Sequence, residues 1–332
     1  MSLFCIGIDH NTASLSQREN VYHNRDEIVH KVRTIAEDVS VLFTCNRVEL
    51  YAYMHDEDIA QKIIAQLVYS VPALGQYGYT ITNNKQVVTH MIRLAAGLLS
   101  QVVGEKQIYD QLESWVDQSV PLGRVHDIWK TVLEHAAIIR VKSGLYRAVY
   151  DIADYIIDDI AKKRITIGKK EIMIVGTGTI ARLFAEKKDP RANLYFASRK
   201  KHARSRQLAN MSGGKAILLD DLSQYLSHVD AVISASACPH YVLKKHTVDE
   251  VSVKRNKELF IYDIALPRNV EPTVETISGV SLKNLDDIGT VSKKSGAVAE
   301  ALRAAEKMIK DEVDSSIRGV RNYAFTGRHK TK

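Results

Sequence analysis

Cysteine, proline and long hydrophobic runs are scarce in this sequence. Its 332 residues include 3 cysteines and 6 prolines. Three widely separated cysteines cannot build a disulfide framework or a zinc site of the usual ligand spacing, and so little proline excludes collagen-like or mucin-like chains. No segment approaches the roughly 18 consecutive apolar residues of a membrane-spanning helix, and Asp9 comes too early for a secretion signal. The sequence therefore predicts a cytoplasmic globular protein with no membrane segment and no metal site.

Positively charged residues outnumber negatively charged ones. There are 46 Lys and Arg residues against 39 Asp and Glu residues, which gives a net charge of +7. Such a surplus favours polyanionic partners, but a mixed solvated surface is the simpler explanation of it. From Arg318 to the end the chain carries five cations and no acid. This basic tail is suited to contact phosphates.

The hydrophobic pattern changes along the chain. Up to about residue 145, the strand-like runs LFCIGID and VSVLFTCNRVELYAYM precede mainly helical patterns. Further on, the strand-like runs EIMIV, NLYFASR, KAILL, DAVISAS and LFIYDIA alternate with helical or polar segments, which is typical of a doubly wound parallel sheet. A stretch rich in Ala, Glu and Lys after Asp287 predicts one long helix. We therefore predict a multidomain protein of the α/β and α+β classes: an α+β domain, a Rossmann-like domain and a long C-terminal helix.

A glycine turn follows the strand EIMIV and opens a helix. It has the pattern G-x-G-x-x-A of a dinucleotide-binding turn. The first glycine permits a tight turn, the second lets the backbone approach a pyrophosphate, and the small alanine lets helix and sheet pack closely. The alternative is a Rossmann-like turn that has lost its cofactor. The predicted cofactor-binding residues of this turn are Gly176, Thr177, Gly178, Thr179, Ile180 and Ala181.

The end of the next strand indicates which cofactor binds. An NAD site usually has an acidic residue there, about 20 residues after the glycines, to bind the ribose 2′-hydroxyl. This sequence has a serine followed by three cations. Because these groups suit a 2′-phosphate, we predict NADPH rather than NADH. Ser198 and Arg199 are predicted to contact the phosphate, and Lys200 belongs to the same cofactor site.

One cysteine lies in a polar interruption between two strand-like runs, at Thr44-Cys45-Asn46-Arg47. Most cysteines of this kind are inert core residues. Three polar neighbours make a poor core, however, and a nearby cation can lower the pKa of a thiol and increase the nucleophilic thiolate. We therefore predict that Cys45 lies at a strand end or turn and is a candidate nucleophile.

Five motifs in order along the chain resemble the glutamyl-tRNA reductases. They are GIDHNTA, TCNRVELY, HMIRLAAGLLSQVVGEKQIYDQ, VGTGTIA and YDIALPRNVEP, and together they cover residues 4–290. The resemblance implies an N-terminal catalytic domain, an NADPH-binding domain and a long spinal helix. It also implies NADPH-dependent reduction of the glutamyl ester of tRNA to glutamate-1-semialdehyde, the first committed step of five-carbon tetrapyrrole synthesis.

The resemblance also assigns roles to residues. Cys45 would displace the tRNA ribose oxygen and form a thioester, which NADPH can reduce. His90 would orient the ester or assist proton transfer to the leaving oxygen. Arg47 would pair with the γ-carboxylate of the substrate, and Glu105 with its α-ammonium. The other predicted substrate-binding residues are Thr44, Asn46, Ser100, Lys106, Gln107 and Gln111, although Lys106 stands where the family has proline.

The expected domains are a catalytic and substrate-binding domain at 1–145, a connecting helix at 146–166, the NADPH-binding domain at 167–290 and the spinal helix with its basic tail at 291–332. The dimerisation domain of the family is missing from the sequence, which predicts a monomer or a dimer built on another surface. Expected partners are tRNA(Glu) charged with glutamate and the enzyme glutamate-1-semialdehyde aminomutase.

Two alternatives remain. The protein could be a divergent paralogue that acts on another ester or thioester, or that binds tRNA or a partner enzyme without catalysis. It could also be an NADP oxidoreductase related to shikimate or precorrin-2 dehydrogenase. The polar thiol turn argues against the second alternative, which needs no thioester.

Overall fold

The computed structural model describes residues 2–35, 38–54, 57–118, 123–146, 151–163, 168–199, 203–289, 298–311 and 313. The chain divides into two units. The first comprises Met1–Tyr150 with Thr290–Lys332, and the second comprises Asp151–Gly289.

The described part of the first unit contains a four-stranded antiparallel sheet with the order β2-β3-β1-β4. Side chains of successive residues in a strand point to opposite faces, and both faces are covered. Leu3 and Tyr51 belong to one hydrophobic core, and Phe4 and Leu50 belong to the other. The strands are β1 (Ser2–Asp9), β2 (Val39–Phe43), β3 (Arg47–Met54) and β4 (Tyr79–Ile81).

Helices cover both faces of this sheet. One face is packed by α1 (Leu15–His23), α2 (Arg25–Ile35), α3 (Glu57–Ser70) and α4 (Pro72–Tyr77). The other face is packed by α5 (Asn84–Ala95), α6 (Gln107–Gln118), α7 (Gly123–Lys142) and the helix at 298–311. Side-chain oxygens cap several of their N-termini. Ser14 and Gln17 form a capping box on α1, and Asn83 caps α5.

The second unit is built around a parallel sheet. In the described residues it has six strands in the order β10-β9-β8-β5-β6-β7. The chain therefore moves outward from β5 in one direction, returns, and moves outward from β8 in the other, which is the doubly wound order of dinucleotide-binding folds. The strands are β5 (Lys170–Val175), β6 (Ala192–Ser198), β7 (Lys215–Leu218), β8 (Ala231–Ser234), β9 (Leu259–Asp263) and β10 (Val280–Asn284).

Helices of the second unit precede, connect and follow these strands. They are α8 (Ile152–Lys162), α9 (Thr179–Lys187), α10 (Ala203–Ser212), α11 (Leu222–Leu226), α12 (Lys245–Ser252) and α13 (Leu285–Gly289). The predicted connecting helix corresponds to α8, which lies within this unit rather than outside it.

The predicted fold classes are confirmed for both units. Sequence patterns did not predict the short strands β4 and β10. β4 has only three residues, and every residue of β10 is only partly buried at the sheet edge, so neither shows a clear hydrophobic pattern. The predicted long helix is helical at 298–311, whereas its other segments and the basic tail lie outside the described residues. In the described residues, none of the helices combines the length and apolarity needed to cross a membrane.

Candidate active site

The four residues Thr44-Cys45-Asn46-Arg47 form the tight turn between β2 and β3, as the sequence predicted. The Thr44 amide donates to the Arg47 carbonyl at 2.9 Å. The Thr44 hydroxyl accepts from the amides of Asn46 and Arg47, each at 3.2 Å. These bonds place Cys45 at the tip of the turn, where its side chain is partly exposed.

The β1–α1 segment fixes this turn from one side. Arg18 of α1 is completely buried and donates to the Cys45 carbonyl at 2.8 Å. The His10 amide donates to the Asn46 carbonyl at 3.0 Å. The Asn46 side-chain oxygen is buried and has no hydrogen-bond partner among the described residues. Because an unsatisfied buried acceptor is costly, Asn46 is suited to receive a donor from a ligand.

Arg47 makes its contacts within the protein. Its side chain is 1% exposed, and its guanidinium lies 2.6 Å from the Glu49 carboxylate and 3.7 Å from Asp9. It also donates to the carbonyl of Leu99, in the loop after α5. These contacts show that Arg47 links the cysteine turn to that loop. Its predicted pairing with the substrate γ-carboxylate stays a prediction.

Glu49 is a buried residue that the sequence analysis did not single out. Its carboxylate accepts from Arg47 and from the hydroxyls of Tyr51 and Tyr79, and it lies 2.9 Å from His90 Nε2. Burial alone would raise the pKa of Glu49, but Arg47 and His90 hold it well below its usual range. The spacing was a usable signal, because Arg47, Glu49 and Tyr51 alternate along β3 and so share one face of the sheet.

The loop at 96–106 carries three of the predicted substrate-binding residues, Ser100, Glu105 and, at its end, Lys106. Ser100 is buried and Glu105 is partly buried. Gly97 has a φ of +82°, and the Gly104 amide donates to the Gly97 carbonyl at 2.9 Å. This bond closes the loop at its base, and the Arg47 contact with Leu99 ties its middle to the cysteine turn.

The thiol of Cys45 is less acidic than expected. Burial, and after it the negative charge of Glu105, raise its pKa to about 12, although the cations Arg18 and Arg47 act to lower it. The expectation of a lowered thiol pKa is therefore wrong for this state of the protein. Glu105 and Cys45 are 60 residues apart in sequence. The effect of the Glu105 charge on the pKa of Cys45 indicates that the fold brings these two predicted residues near each other.

Three predicted substrate-binding residues lie at the start of α6. Lys106 is exposed and forms an ion pair with Asp110 at 2.9 Å. Gln111 is also exposed. The side-chain oxygen of Gln107 is buried and has no partner among the described residues. Of the three, Gln107 is therefore the residue best placed to accept a hydrogen bond from a ligand.

The glycine turn of the second unit follows β5, beside the neighbouring strand β8. From these two strands the chain continues to opposite sides of the sheet. Gly176 has a φ of +118°, and a Cβ there would lie 2.6 Å from the Ala235 carbonyl oxygen, so the turn requires glycine. Gly178 is the N-cap residue of α9, and a Cβ there would have no neighbour within 4 Å among the described residues beyond the adjoining ones. Ala181 is completely buried. An open helix N-terminus at the switch point of such a sheet fits a dinucleotide pyrophosphate. Thr177, Thr179 and Ile180 complete the turn.

The end of β6 presents one of the two predicted 2′-phosphate ligands to solvent. Arg199 is exposed, and its guanidinium lies 2.6 Å from Cys238 Sγ, in the segment after β8. Ser198 is buried, and its hydroxyl donates to the Ser205 hydroxyl at 3.1 Å. Lys200 lies outside the described residues.

The motif YDIALPR forms a strand-end loop. The buried carboxylate of Asp263 accepts from the amides of Asn269 and Val270. Asn269 in turn binds Ser236 and the Cys238 carbonyl, in the segment after β8. Asp263 therefore shapes the loop beside the glycine turn.

Ligating atoms of Cys5, Glu49 and His90 lie within 4.8 Å of one another. The Glu49 carboxylate already carries an ion pair with Arg47 and three further hydrogen bonds. A cation there would compete with the guanidinium, so we assign no metal to this cluster.

Comparisons with known proteins extend over both units. The family model described as glutamyl-tRNAGlu reductase, N-terminal domain, matches residues 6–142, and the model for shikimate / quinate 5-dehydrogenase matches residues 159–291. The second match agrees with the dinucleotide-binding topology of the second unit, which is of the NAD(P)-dependent dehydrogenase type.

Curated relatives match almost the whole chain. Glutamyl-tRNA reductase from Marinomonas sp. is 30% identical over 95% of this chain and 78% of that protein. Glutamyl-tRNA reductase from Desulforudis audaxviator is 30% identical over 94% of this chain and 74% of that protein. The solved structure of glutamyl-tRNA reductase from Methanopyrus kandleri is 25% identical, covers 97% of this chain and 81% of that one, and has a TM-score of 0.48. Because the two curated relatives are 30% identical over most of their length and the N-terminal family model matches as well, the chain belongs to the glutamyl-tRNA reductase family.

Proposed function

We propose that this protein reduces the glutamyl ester of charged tRNA(Glu) to glutamate-1-semialdehyde with NADPH. The observation that carries the proposal is the cysteine turn, which holds a half-buried cysteine at its tip, beside the buried Arg18 and Arg47. Residues 1–145 supply the acyl-transfer site and residues 167–290 the cofactor site. The product aldehyde would pass to the enzyme glutamate-1-semialdehyde aminomutase.

Groups around the thiol suit an α-amino acyl group. Glu105 is the partner for the α-ammonium, and the free side-chain oxygens of Asn46 and Gln107 can accept further hydrogen bonds. When the ammonium neutralises Glu105, the carboxylate no longer raises the pKa of Cys45. Substrate binding therefore removes one of the two causes that raise the pKa of Cys45, and burial remains as the other.

Acyl transfer follows from these groups. The Cys45 thiolate attacks the ester carbonyl carbon, the bond from that carbon to the ribose oxygen breaks, and the glutamyl group becomes a thioester. The leaving ribose oxygen takes up a proton. Because Glu49 is an acceptor, His90 Nε2 must carry the hydrogen between them, which leaves Nδ1 as the nitrogen that exchanges a proton during the reaction.

The cofactor site uses the glycine turn and Arg199. The free amides at the start of α9 bind the pyrophosphate, and Gly178 leaves room for it. Arg199, with Lys200, binds the 2′-phosphate that distinguishes NADPH from NADH. When bound, NADPH supplies the hydride that reduces the thioester carbonyl carbon. The carbon–sulfur bond would then break, so that Cys45 is restored as a thiolate and the aldehyde is released.

The experiment mixes the protein with glutamyl-tRNA and NADPH and follows cofactor oxidation together with aldehyde formation. Both are expected for the wild type and neither for Cys45→Ser. Turnover by Cys45→Ser would contradict the thioester route. Tight binding of charged tRNA with no transfer and no oxidation would instead support the binding-only alternative.

A further inference from the structure

Arg140, near the end of α7, is a buried cation to which the sequence analysis gave no role. Its side chain is 5% exposed and donates to the carbonyls of Ala96 at 2.8 Å, Glu105 at 3.0 Å and Gly104 at 3.1 Å. Within the described residues, these carbonyl groups are its hydrogen-bond partners and no carboxylate forms an ion pair with it. Because a buried guanidinium is costly unless its donors are satisfied, these bonds are essential to its packing.

The three carbonyl groups belong to both ends of the 96–106 loop. Ala96 opens the loop, whereas Gly104 and Glu105 close it. At Gly97 there is no room for a side chain, because a Cβ would lie 2.8 Å from the Glu105 oxygen and 3.1 Å from the Arg140 guanidinium. The guanidinium therefore holds the two ends of the loop together.

Two buried guanidinium groups thus restrain this loop at different points. Arg140 binds its two ends, and Arg47 binds the Leu99 carbonyl in its middle. Ser100 and Glu105, which we propose to face the glutamyl group, lie on the restrained segment. Their side chains can hold one place relative to the cysteine turn only while these restraints are intact.

We propose that Arg140 is a positioning residue for recognition of the aminoacyl group, because its guanidinium sets where the loop presents Ser100 and Glu105. This role rests on the function proposed above. Lysine cannot substitute for it, since a single ammonium lacks the planar set of donors that reaches carbonyl oxygens on both ends of the loop.

The first test compares the full chain with Arg140→Ala and Arg140→Lys. In the absence of NADPH, the rate of glutamate transfer to Cys45 is measured against glutamyl-tRNA concentration. Because small displacements of binding groups are costly to catalysis, the half-saturating concentration is expected to rise about tenfold or more in Arg140→Ala. Added guanidinium salt is expected to reverse this rise, and Arg140→Lys is expected to resemble Arg140→Ala.

Arg255 provides a matched control in the second unit. It too is a partly buried guanidinium that donates to main-chain carbonyl groups, those of Leu226 and Val229. Arg255→Ala is expected to lower the melting temperature without changing the half-saturating concentration of glutamyl-tRNA. For the Arg140 variants, the affinity for NADPH, measured by cofactor fluorescence, should change less than about twofold, because Gly176 and Arg199 belong to the other unit and, among the described residues, share no partner with the 96–106 loop.

A second readout needs no substrate. The rate at which iodoacetamide alkylates Cys45 is measured against pH. Because Glu105 raises the pKa of Cys45, displacement of Glu105 in Arg140→Ala should lower the apparent pKa, and guanidinium should restore it. An unchanged profile overturns the proposal, as does lower thermal stability with no change in either readout.

The two readouts separate this proposal from the proposed function. If the wild type transfers no glutamate but the Arg140→Ala profile shifts and is rescued, the proposed function fails while the placement of Glu105 by Arg140 stands. If transfer occurs normally in both proteins with the same half-saturating concentration, the positioning role is wrong and the proposed function stands.

Discussion

His90 Nε2 lies 2.9 Å from the carboxylate of Glu49, a residue with no exposed surface. The same carboxylate is held ionised by Arg47 of the cysteine turn. One buried acid therefore sets the tautomer of the proposed proton-transfer group and anchors the strand that carries the proposed nucleophile. This double role makes Glu49 a sharper test of the site than His90 itself.

Replacement of Glu49 by glutamine is expected to impair both chemistry and stability. The glutamine amide is neutral and can either donate or accept a hydrogen bond, so it no longer fixes the tautomer of His90. Acyl transfer should therefore fall about 100-fold or more. Arg47 loses its charged partner, which should cost about 3 kcal/mol of unfolding free energy. Single-turnover transfer of glutamate and urea denaturation measure the two effects.

Glu171→Gln serves as the control for this substitution. Glu171 also accepts hydrogen bonds from neighbouring side chains, Asn193 and Tyr195, but it lies in the second unit. Its replacement should leave acyl transfer unchanged. If Glu49→Gln also transferred glutamate at the wild-type rate, the assigned tautomer of His90 would have no role in the reaction.

Replacement of Glu105 by glutamine should make Cys45 more reactive in the free protein. The negative charge of Glu105 raises the pKa of the thiol, so its removal shifts the alkylation profile of Cys45 to lower pH. The measurement is the rate of iodoacetamide labelling against pH, followed by mass spectrometry of the Cys45 peptide. At the same time the variant should bind glutamyl-tRNA less tightly, because the α-ammonium loses its partner.

Labelling of Cys238 in the same samples gives an internal reference, since this thiol is partly exposed and lies in the other unit. Its profile should be identical in the wild type and in Glu105→Gln. A Cys45 profile that moves to higher pH, or not at all, would show that Glu105 does not act on the thiol as the structure indicates.

The two glycines of the cofactor turn should respond differently to alanine. Gly176→Ala forces a side chain into positive φ and against the Ala235 carbonyl, which should cost about 1–3 kcal/mol of stability. Among the described residues, the added Cβ of Gly178→Ala meets nothing within 4 Å beyond its adjoining residues, so stability should change by less than about 0.5 kcal/mol. Affinity for NADPH should nevertheless fall in both variants, because the added methyl of Gly178→Ala occupies space left for the pyrophosphate.

Thermal unfolding and cofactor fluorescence distinguish these effects. A Gly178→Ala variant that binds NADPH as tightly as the wild type would place the pyrophosphate somewhere other than the start of α9.

Arg199→Ser should weaken NADPH binding about tenfold or more and leave NADH binding nearly unchanged, because only NADPH carries the 2′-phosphate that the guanidinium neutralises. Dissociation constants for the two cofactors measure this selectivity. In the wild type, NADPH should also slow alkylation of Cys238, whose sulfur lies 2.6 Å from the Arg199 guanidinium. Equal losses for both cofactors would argue against a 2′-phosphate site at Arg199.

Local patterns predicted much of this molecule. The parallel sheet followed from apolar runs bounded by glycine and polar turns, and the cysteine turn followed from four polar residues between two strands. Both signals are short-range, since a turn or a buried strand is encoded by its own residues. Gly176 illustrates this, because its pattern predicted the tight turn that its positive φ confirms.

Other features depend on contacts between distant residues and left no local signal. The pKa of Cys45 reflects Glu105, and the loop that holds Glu105 depends on Arg140 from α7. Nothing in the sequence near Cys45 reveals either contact, so the neighbouring Arg47 suggested a more acidic thiol than the structure has. Glu49 was visible as an alternating residue in β3, but its role required His90 on α5.

The central claim is that Cys45 accepts the glutamyl group from tRNA, and a quench experiment without NADPH tests it most directly. The protein is mixed with glutamyl-tRNA, stopped with acid and digested, and the Cys45 peptide is examined by mass spectrometry. We expect a glutamyl thioester on Cys45 that is released by hydroxylamine, with an equivalent amount of uncharged tRNA. A Cys45 peptide that stays unmodified, in a protein that oxidises NADPH with the same charged tRNA, would contradict it.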